Sequence, residues 1–241
     1  MKREAQNLLL LLIGAAVLMI TLDGTYLNYV KPGLFPFLLV SGVIILALAL
    51  IAIARDIRGG RATPGHDHGA GRAQWLLLIP VFALLLIAPP ALGAGAAETT
   101  APVRVATDSP GGQAKSWPFP PLPAEPAPAL SISELVTRAT LDSLRSLDGR
   151  TVLIRGFILR AERANGTDLA RVAITCCVAD ARYVRVHLTG IPDEFAEDTW
   201  LELRGRVEPG SAQRDPDLTP TFVVAEYQPI ERPEHPYERV R

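Results

Sequence analysis

An uncharged apolar segment from Leu34 to Ala54 constrains this chain more than any other feature of its sequence. With a rise of about 1.5 Å per residue, a helix of about twenty residues crosses a hydrocarbon core of about 30 Å. Residues 34–54 therefore predict a membrane span. Residues 8–30 and 75–92 predict two more, because both are largely apolar and carry aromatic residues at one end. We expect residues 1–97 to form a membrane domain.

Basic residues predict the orientation of these spans. Lys2 and Arg3 precede the first span, and four arginines lie between the second and the third. Such residues favour the cytoplasmic side. We therefore expect a multi-pass protein in contact with the lipid bilayer, with a cytoplasmic N-terminus. Three spans then place the rest of the chain outside the cytoplasm.

Charge and motifs exclude several classes of function. The formal net charge is −1, without the basic cluster that binding to nucleic acid requires. The sequence has no glycine-rich phosphate loop before a helix, no HExxH motif and no evident nucleophile with a base. We predict a protein that is not an enzyme and does not bind nucleic acid.

Residues 98–129 are rich in Ala, Pro, Gly, Thr and Ser, and include the run WPFPPLPAEPAP. This composition favours extended polyproline conformations over a packed core. We predict a semi-rigid linker between the membrane domain and residues 130–241.

Residues 130–241 predict one helix and then five strands. Ser131 and Glu134 form a capping-box pattern ahead of apolar residues at helical spacing. Strand-like runs bounded by turn residues follow at 151–160, 169–177, 182–188, 200–207 and 221–227. The complete prediction is a membrane α-helical N-terminal part plus a small mainly-β domain, an OB-like five-stranded barrel with one leading helix.

The two cysteines, Cys176 and Cys177, are adjacent, so no disulfide framework spans this domain. Alternation along the second predicted strand turns Cys176 inward and Cys177 outward. A hairpin centred on Asp180 would pair Ala173 with His187. Both sulfurs would then point apart, whereas a bulge before Asp180 would bring them together with its carboxylate.

Three roles are open for the cysteine pair: a vicinal disulfide, thiolate ligands of a soft metal ion, or simple packing. Cys176, Cys177 and Asp180 are the candidate metal ligands. His66 and His68, in the loop between the second and third predicted spans, are weaker candidates for zinc or a similar ion.

The motif from Cys176 to Ala181 reads CCxADA, and it follows paired N-terminal spans, Pro89 to Gly93 as PPALG, and Leu147-Asp-Gly149. In these features the chain resembles the YcgQ-like family of bacterial membrane proteins, over nearly its whole length. The resemblance implies an accessory subunit paired with a separate multi-span permease in the bacterial cell membrane. It also implies, less directly, a part in metal homeostasis, with zinc as the candidate ion.

Three hypotheses follow. The first is a non-catalytic permease subunit whose external domain binds or gates a small solute or metal ion. The second is a membrane-anchored redox module, in which Cys176 and Cys177 cycle between dithiol and disulfide. The third is a structural interaction module of the cell envelope, in which the cysteines contribute to stability alone.

Overall fold

The computed structural model describes residues 3–58, 91–99, 116–161, 166–192 and 194–239. The chain divides into two compact units, Met1–Ala91 and Leu92–Arg241. The predicted third span, apart from its last two residues, and both His66 and His68 lie outside the described residues.

The first unit contains two apolar helices, α1 (Arg3–Leu22) and α2 (Phe35–Arg58). By length and composition, Pro32–Arg58 is able to cross a membrane, and Gln6–Leu22 is a shorter apolar helix. Within the segment predicted over residues 8–30, the α-helix extends to Leu22 and a 3-10 turn follows at Thr25–Asn28. The helix ends at Leu22, where Asp23 Oδ1 accepts a hydrogen bond from the Thr25 amide at 2.8 Å.

Helix α3 (Ile132–Leu141) precedes the strands of the second unit, which confirms the predicted leading helix. The Ser131 hydroxyl accepts a hydrogen bond from the Glu134 amide at 3.0 Å, as the capping pattern predicts. Apolar residues at helical spacing turn one face of the helix into the core, among them Ile132, Leu135 and Leu141.

Six strands follow: β1 (Val152–Ala161), β2 (Gly166–Ile174), β3 (Arg182–Thr189), β4 (Trp200–Val207), β5 (Thr221–Pro229) and β6 (Tyr237–Arg239). A short helix, α4 (Ser211–Arg214), lies between β4 and β5. All five predicted strands are present, while β6 was not predicted.

The strand pairings form one mixed sheet of six strands, ordered β1-β4-β5-β3-β2-β6. An additional pairing of β1 with β2 joins five of these strands into a ring. Strand β6 pairs in parallel with β2 outside the ring. The core combines apolar residues of the five ring strands with those of α3.

Strand β2 is buried on both faces, which is unusual in a small domain with one core. Leu169 and Ala173 belong to the main core, whereas Ala170 and Val172 between them point the other way and are also buried. A second buried layer therefore covers this part of the sheet.

Residues 117–129, where the composition predicted a linker, are part of the second unit and contact its helix and strands. Leu122 joins the core. The Arg150 guanidinium donates to the carbonyls of Pro123 and Glu125, and the Leu153 amide donates to the Pro128 carbonyl at 3.0 Å. Proline lacks an amide hydrogen but keeps its carbonyl acceptor, so a proline-rich segment can still be bound from one side.

Glu238 connects the last strand to the first helix of this unit. Its carboxylate is buried and accepts hydrogen bonds from the Ile132 amide at 2.8 Å and from the Ser133 amide and hydroxyl at 2.9 and 2.7 Å. A negative charge at a helix N-terminus is stabilised by the free amides there. Glu238 therefore holds both ends of the domain sequence together.

Candidate metal centre

The two cysteines lie in a turn that one carboxylate organises. Asp180 accepts hydrogen bonds from the amides of Thr175, Cys176 and Cys177 at 2.7, 2.8 and 3.3 Å. These bonds take up three consecutive amides that a longer strand would have used in its ladder. Strand β2 therefore ends at Ile174, and a single 3-10 turn over Val178–Asp180 leads into β3.

This turn brings the two sulfur atoms together. The Sγ atoms of Cys176 and Cys177 are 3.6 Å apart, and both cysteines are free thiols. One ligand atom from each of Cys176, Cys177 and Asp180 lies within 4.8 Å of the other two. In the described part of the chain, these residues are the group of three with the spacing of a metal site.

The spacing suits a tetrahedral ion. At a zinc–sulfur distance of about 2.3 Å, two thiolates on a tetrahedron are about 3.8 Å apart. The observed 3.6 Å between Cys176 and Cys177 is close to that value. Asp180 Oδ2 accepts two of the three amides and Oδ1 accepts one.

The same contacts shift the acid–base properties of the turn. A hydrogen bond to Asp180, followed by one to Cys177, raises the pKa of the Cys176 thiol to about 11. The thiol hydrogen bond and the backbone amides lower the pKa of Asp180 to about 2. Cys176 is thus a protonated thiol at neutral pH, and an ion that binds its thiolate must displace this proton.

The predicted register of the β2–β3 hairpin is wrong. His187 pairs with Asp168 and not with Ala173, which pairs with Arg182. Cys176 is exposed and does not point into the core as alternation predicted. Both errors have one cause, because the side chain of Asp180 binds the amides of the turn and removes residues 175–177 from the strand.

A second polar cluster, not predicted from the sequence, lies where β2 and β3 face the loop after α4. His187 Nδ1 is 2.7 Å from Asp168 Oδ1, and His187 Nε2 is 3.4 Å from Asp215 Oδ2. Arg185 lies 3.7 Å from Asp168 and 3.6 Å from Asp217. Asp168, an acidic residue in a strand that is otherwise largely apolar apart from Arg171, was the sequence signal for this cluster.

These features define a class of domain: a ring of five strands with a leading helix and an exposed dithiol turn, in a chain with an apolar N-terminal helix. Residues 137–238 match the family model of the DUF1980 C-terminal domain, which corresponds to the C-terminal domain of the YcgQ-like family. No curated protein matches this chain. The match covers the ring of strands and the dithiol turn.

Proposed function

We propose that this chain is an accessory, non-catalytic subunit of a membrane permease, whose external domain binds or gates a metal ion or another small solute. The observation that carries the proposal is the grouping of Cys176, Cys177 and Asp180 in one exposed turn. Two sulfur ligands and one oxygen ligand favour a borderline or soft ion such as Zn²⁺ over Mg²⁺ or Ca²⁺.

The architecture in this proposal is an OB-like barrel carried by a multi-pass membrane part. The closed order β1-β2-β3-β5-β4 supports the barrel, because it is the strand order of the OB fold. Helix α2 supports attachment to a bilayer by its length and composition. The cytoplasmic N-terminus and the external C-terminal domain rest on the distribution of basic residues.

The turn suits an ion that exchanges with solvent or with a partner protein better than an ion that is bound permanently. Three protein ligands leave one tetrahedral position open, as in zinc sites that bind a further ligand, whereas structural zinc sites use four protein ligands. Cys176 is exposed, so the ion would be accessible to solvent and to a partner protein. Such a site fits delivery to, or gating of, a permease.

Zinc binding by the reduced full chain in detergent is the direct test. Competition with a chromophoric chelator gives both stoichiometry and affinity. We expect one zinc ion per chain, lost in the Cys176→Ser/Cys177→Ser variant and weakened in Asp180→Asn. The His66→Ala/His68→Ala variant is the matched control and should retain the ion. Equal binding by the wild-type chain and the double serine variant, or no binding by either, would refute the metal site.

Association with a permease needs a separate test. A tagged full chain, solubilised from native membranes in a mild detergent, should retain a multi-span membrane protein that is identified by mass spectrometry. An unrelated tagged membrane protein of similar abundance is the control. Recovery of the chain without such a partner would contradict the role of accessory subunit and leave the metal site standing.

The redox module is the second candidate, and the separation of 3.6 Å between the two sulfurs favours it. Formation of the Cys176–Cys177 disulfide would remove two protons and two electrons, which a small-molecule disulfide would accept as it is reduced to two thiols. The raised pKa of Cys176 opposes rapid attack by this thiol. A mass decrease of two hydrogens in glutathione disulfide, reversed by dithiothreitol, would support this candidate.

A further inference from the structure

The chain at the end of the predicted third span, from Leu92 to Ala94, is bound by two side chains of the sheet and one from the loop before β4. The Leu92 amide donates to the Tyr237 hydroxyl at 2.9 Å, and the Gly93 carbonyl accepts from the Tyr183 hydroxyl at 2.5 Å. The Ala94 amide donates to Asp198 Oδ1 at 2.6 Å. Consecutive backbone groups of this segment are thus recognised by β6, β3 and the residues before β4.

The fit around Gly93 is tight. A Cβ atom at this position would lie 2.5 Å from Asp198 Oδ1, a separation that no side chain tolerates without a shift. Asp198 itself has a φ of 62°, which is uncommon for a residue other than glycine. The neighbouring Gly95 has no atom within 4 Å of its Cβ position. An added Cβ at residue 93 would therefore displace the Asp198 carboxylate, whereas one at residue 95 would meet no atom.

Both tyrosines of this contact stand beside the strand that leads to the dithiol turn. Tyr183 and Tyr237 pair with Val172 from opposite sides of β2. Tyr183 is the second residue of β3 and is three residues after Asp180 in the sequence. Burial raises the pKa of Tyr183 to about 12, so its hydroxyl remains a donor to Gly93 at all physiological pH values.

We propose that docking of Leu92–Ala94 on Tyr183, Tyr237 and Asp198 is coupled to metal binding at Cys176, Cys177 and Asp180. The turn and the docking contact share strands β2 and β3, so an ion that fixes the turn also fixes the tyrosines. Coupling is reciprocal: whatever strengthens docking also raises the affinity for the ion. This inference rests on the proposed function, and it allows the segment at the end of the predicted third span to regulate that site.

The first test compares Gly93→Ala with the matched control Gly95→Ala in the full chain in detergent. We expect Gly93→Ala to weaken zinc binding by about fivefold or more, the lower range of allosteric coupling. Gly95→Ala should bind as the wild-type chain does. Tyr183→Phe, which removes one hydroxyl and no ring, should weaken binding in the same direction. Wild-type affinity in Gly93→Ala and Tyr183→Phe would overturn the coupling and leave the metal site intact.

Amide hydrogen exchange tests the coupling from the other side. Zinc should slow exchange of the Ala94 amide in the wild-type chain, and unchanged exchange in the zinc-bound chain would contradict the inference. If the wild-type chain binds no zinc, the proposed function fails, and exchange without metal still tests the coupling. The amides of Thr175, Cys176 and Cys177 should then exchange faster in Gly93→Ala than in Gly95→Ala, and equal rates would overturn it.

Discussion

His187 and Asp168 are directly opposed on β3 and β2, and their side chains are joined at 2.7 Å. Asp168 is almost fully buried, at 1% exposure, while His187 is half-buried. The pair connects the hairpin to the loop after α4, because the second ring nitrogen of His187 faces Asp215. Protonation of one imidazole therefore affects two elements of the fold.

Stability should depend on pH through His187. The hydrogen bond to Asp168 raises the pKa of His187, with a smaller contribution from Asp215, although burial opposes the shift. A group whose pKa is raised by folding stabilises the folded state. This contribution is complete below the unfolded-state pKa of about 6.5, and it is lost as pH rises through the folded-state pKa. Arg185 and Asp217 are the other charged groups beside this pair.

The measurement is urea unfolding of the full chain in detergent from about pH 6 to 8.5. We expect the difference in unfolding free energy between the wild-type chain and His187→Gln to shrink as pH rises. Asp215, whose pKa is lowered, titrates below this range and does not contribute to the trend. A constant difference across the range would contradict the role assigned to His187.

Glu238→Gln should destabilise the C-terminal domain by about 1–3 kcal/mol. The substitution places an amide donor against the backbone amides of α3 and removes the charge that faces Arg171. Glu226→Gln is the control, because the side chain of Glu226 is 72% exposed and its pair with Arg204 is open to solvent. Glu226→Gln should lower the free energy of unfolding by less than about 0.5 kcal/mol. Similar losses in both variants by urea unfolding would refute the proposed importance of Glu238.

Gly205→Ala should lower the free energy of unfolding by at least about 1–3 kcal/mol. A Cβ at Gly205 would overlap the Val223 carbonyl and the Phe222 ring, at the irregular step in the β4–β5 ladder. Gly166→Ala, where no atom lies within 4 Å of the added carbon, should change stability by less than about 0.5 kcal/mol. Thermal unfolding of the two variants side by side decides the point, and a neutral Gly205→Ala would argue against the register of these strands.

Asp180→Asn should make the Cys176 thiol more reactive. Loss of the carboxylate removes the main cause of the raised pKa of Cys176, so a larger fraction is thiolate at pH 8. We expect the rate of alkylation by iodoacetamide to rise about tenfold, measured in a Cys177→Ser background. Asp148→Asn, outside the turn, should leave the rate unchanged. An unaltered alkylation rate in Asp180→Asn would show that the Asp180 carboxylate does not raise the pKa of the Cys176 thiol.

Most of the strands could be predicted because apolar residues and turn residues alternate clearly in the sequence. Trp200–Val207 has the predicted bounds, and the Ser131 cap forms the predicted hydrogen bond. Strand β6 was missed because its three residues are too few to show a period and follow a proline-rich stretch. Its position depends on Glu238 and its distant partners on α3, which no local pattern encodes.

The candidate residues of the site could be named from the sequence, whereas their arrangement in space could not. Period-2 alternation assumes that every backbone amide enters the ladder, but Asp180 removes three of them. A side chain that competes with the strand for hydrogen bonds leaves no trace in the apolar pattern. The sequence therefore singled out Cys176, Cys177 and Asp180 as candidates, while their convergence depended on a turn that was one of two open alternatives.

The bond between Glu238 and helix α3 also sets an order of events during synthesis. Ile132 and Ser133 leave the ribosome more than a hundred residues before the carboxylate that binds their amides. Until Glu238 follows, the helix start lacks its partner and the edge of β2 that β6 covers stays open. A nascent chain stalled just short of Glu238 would therefore present an incomplete domain to proteases and chaperones, even with its entire ring of five strands already made.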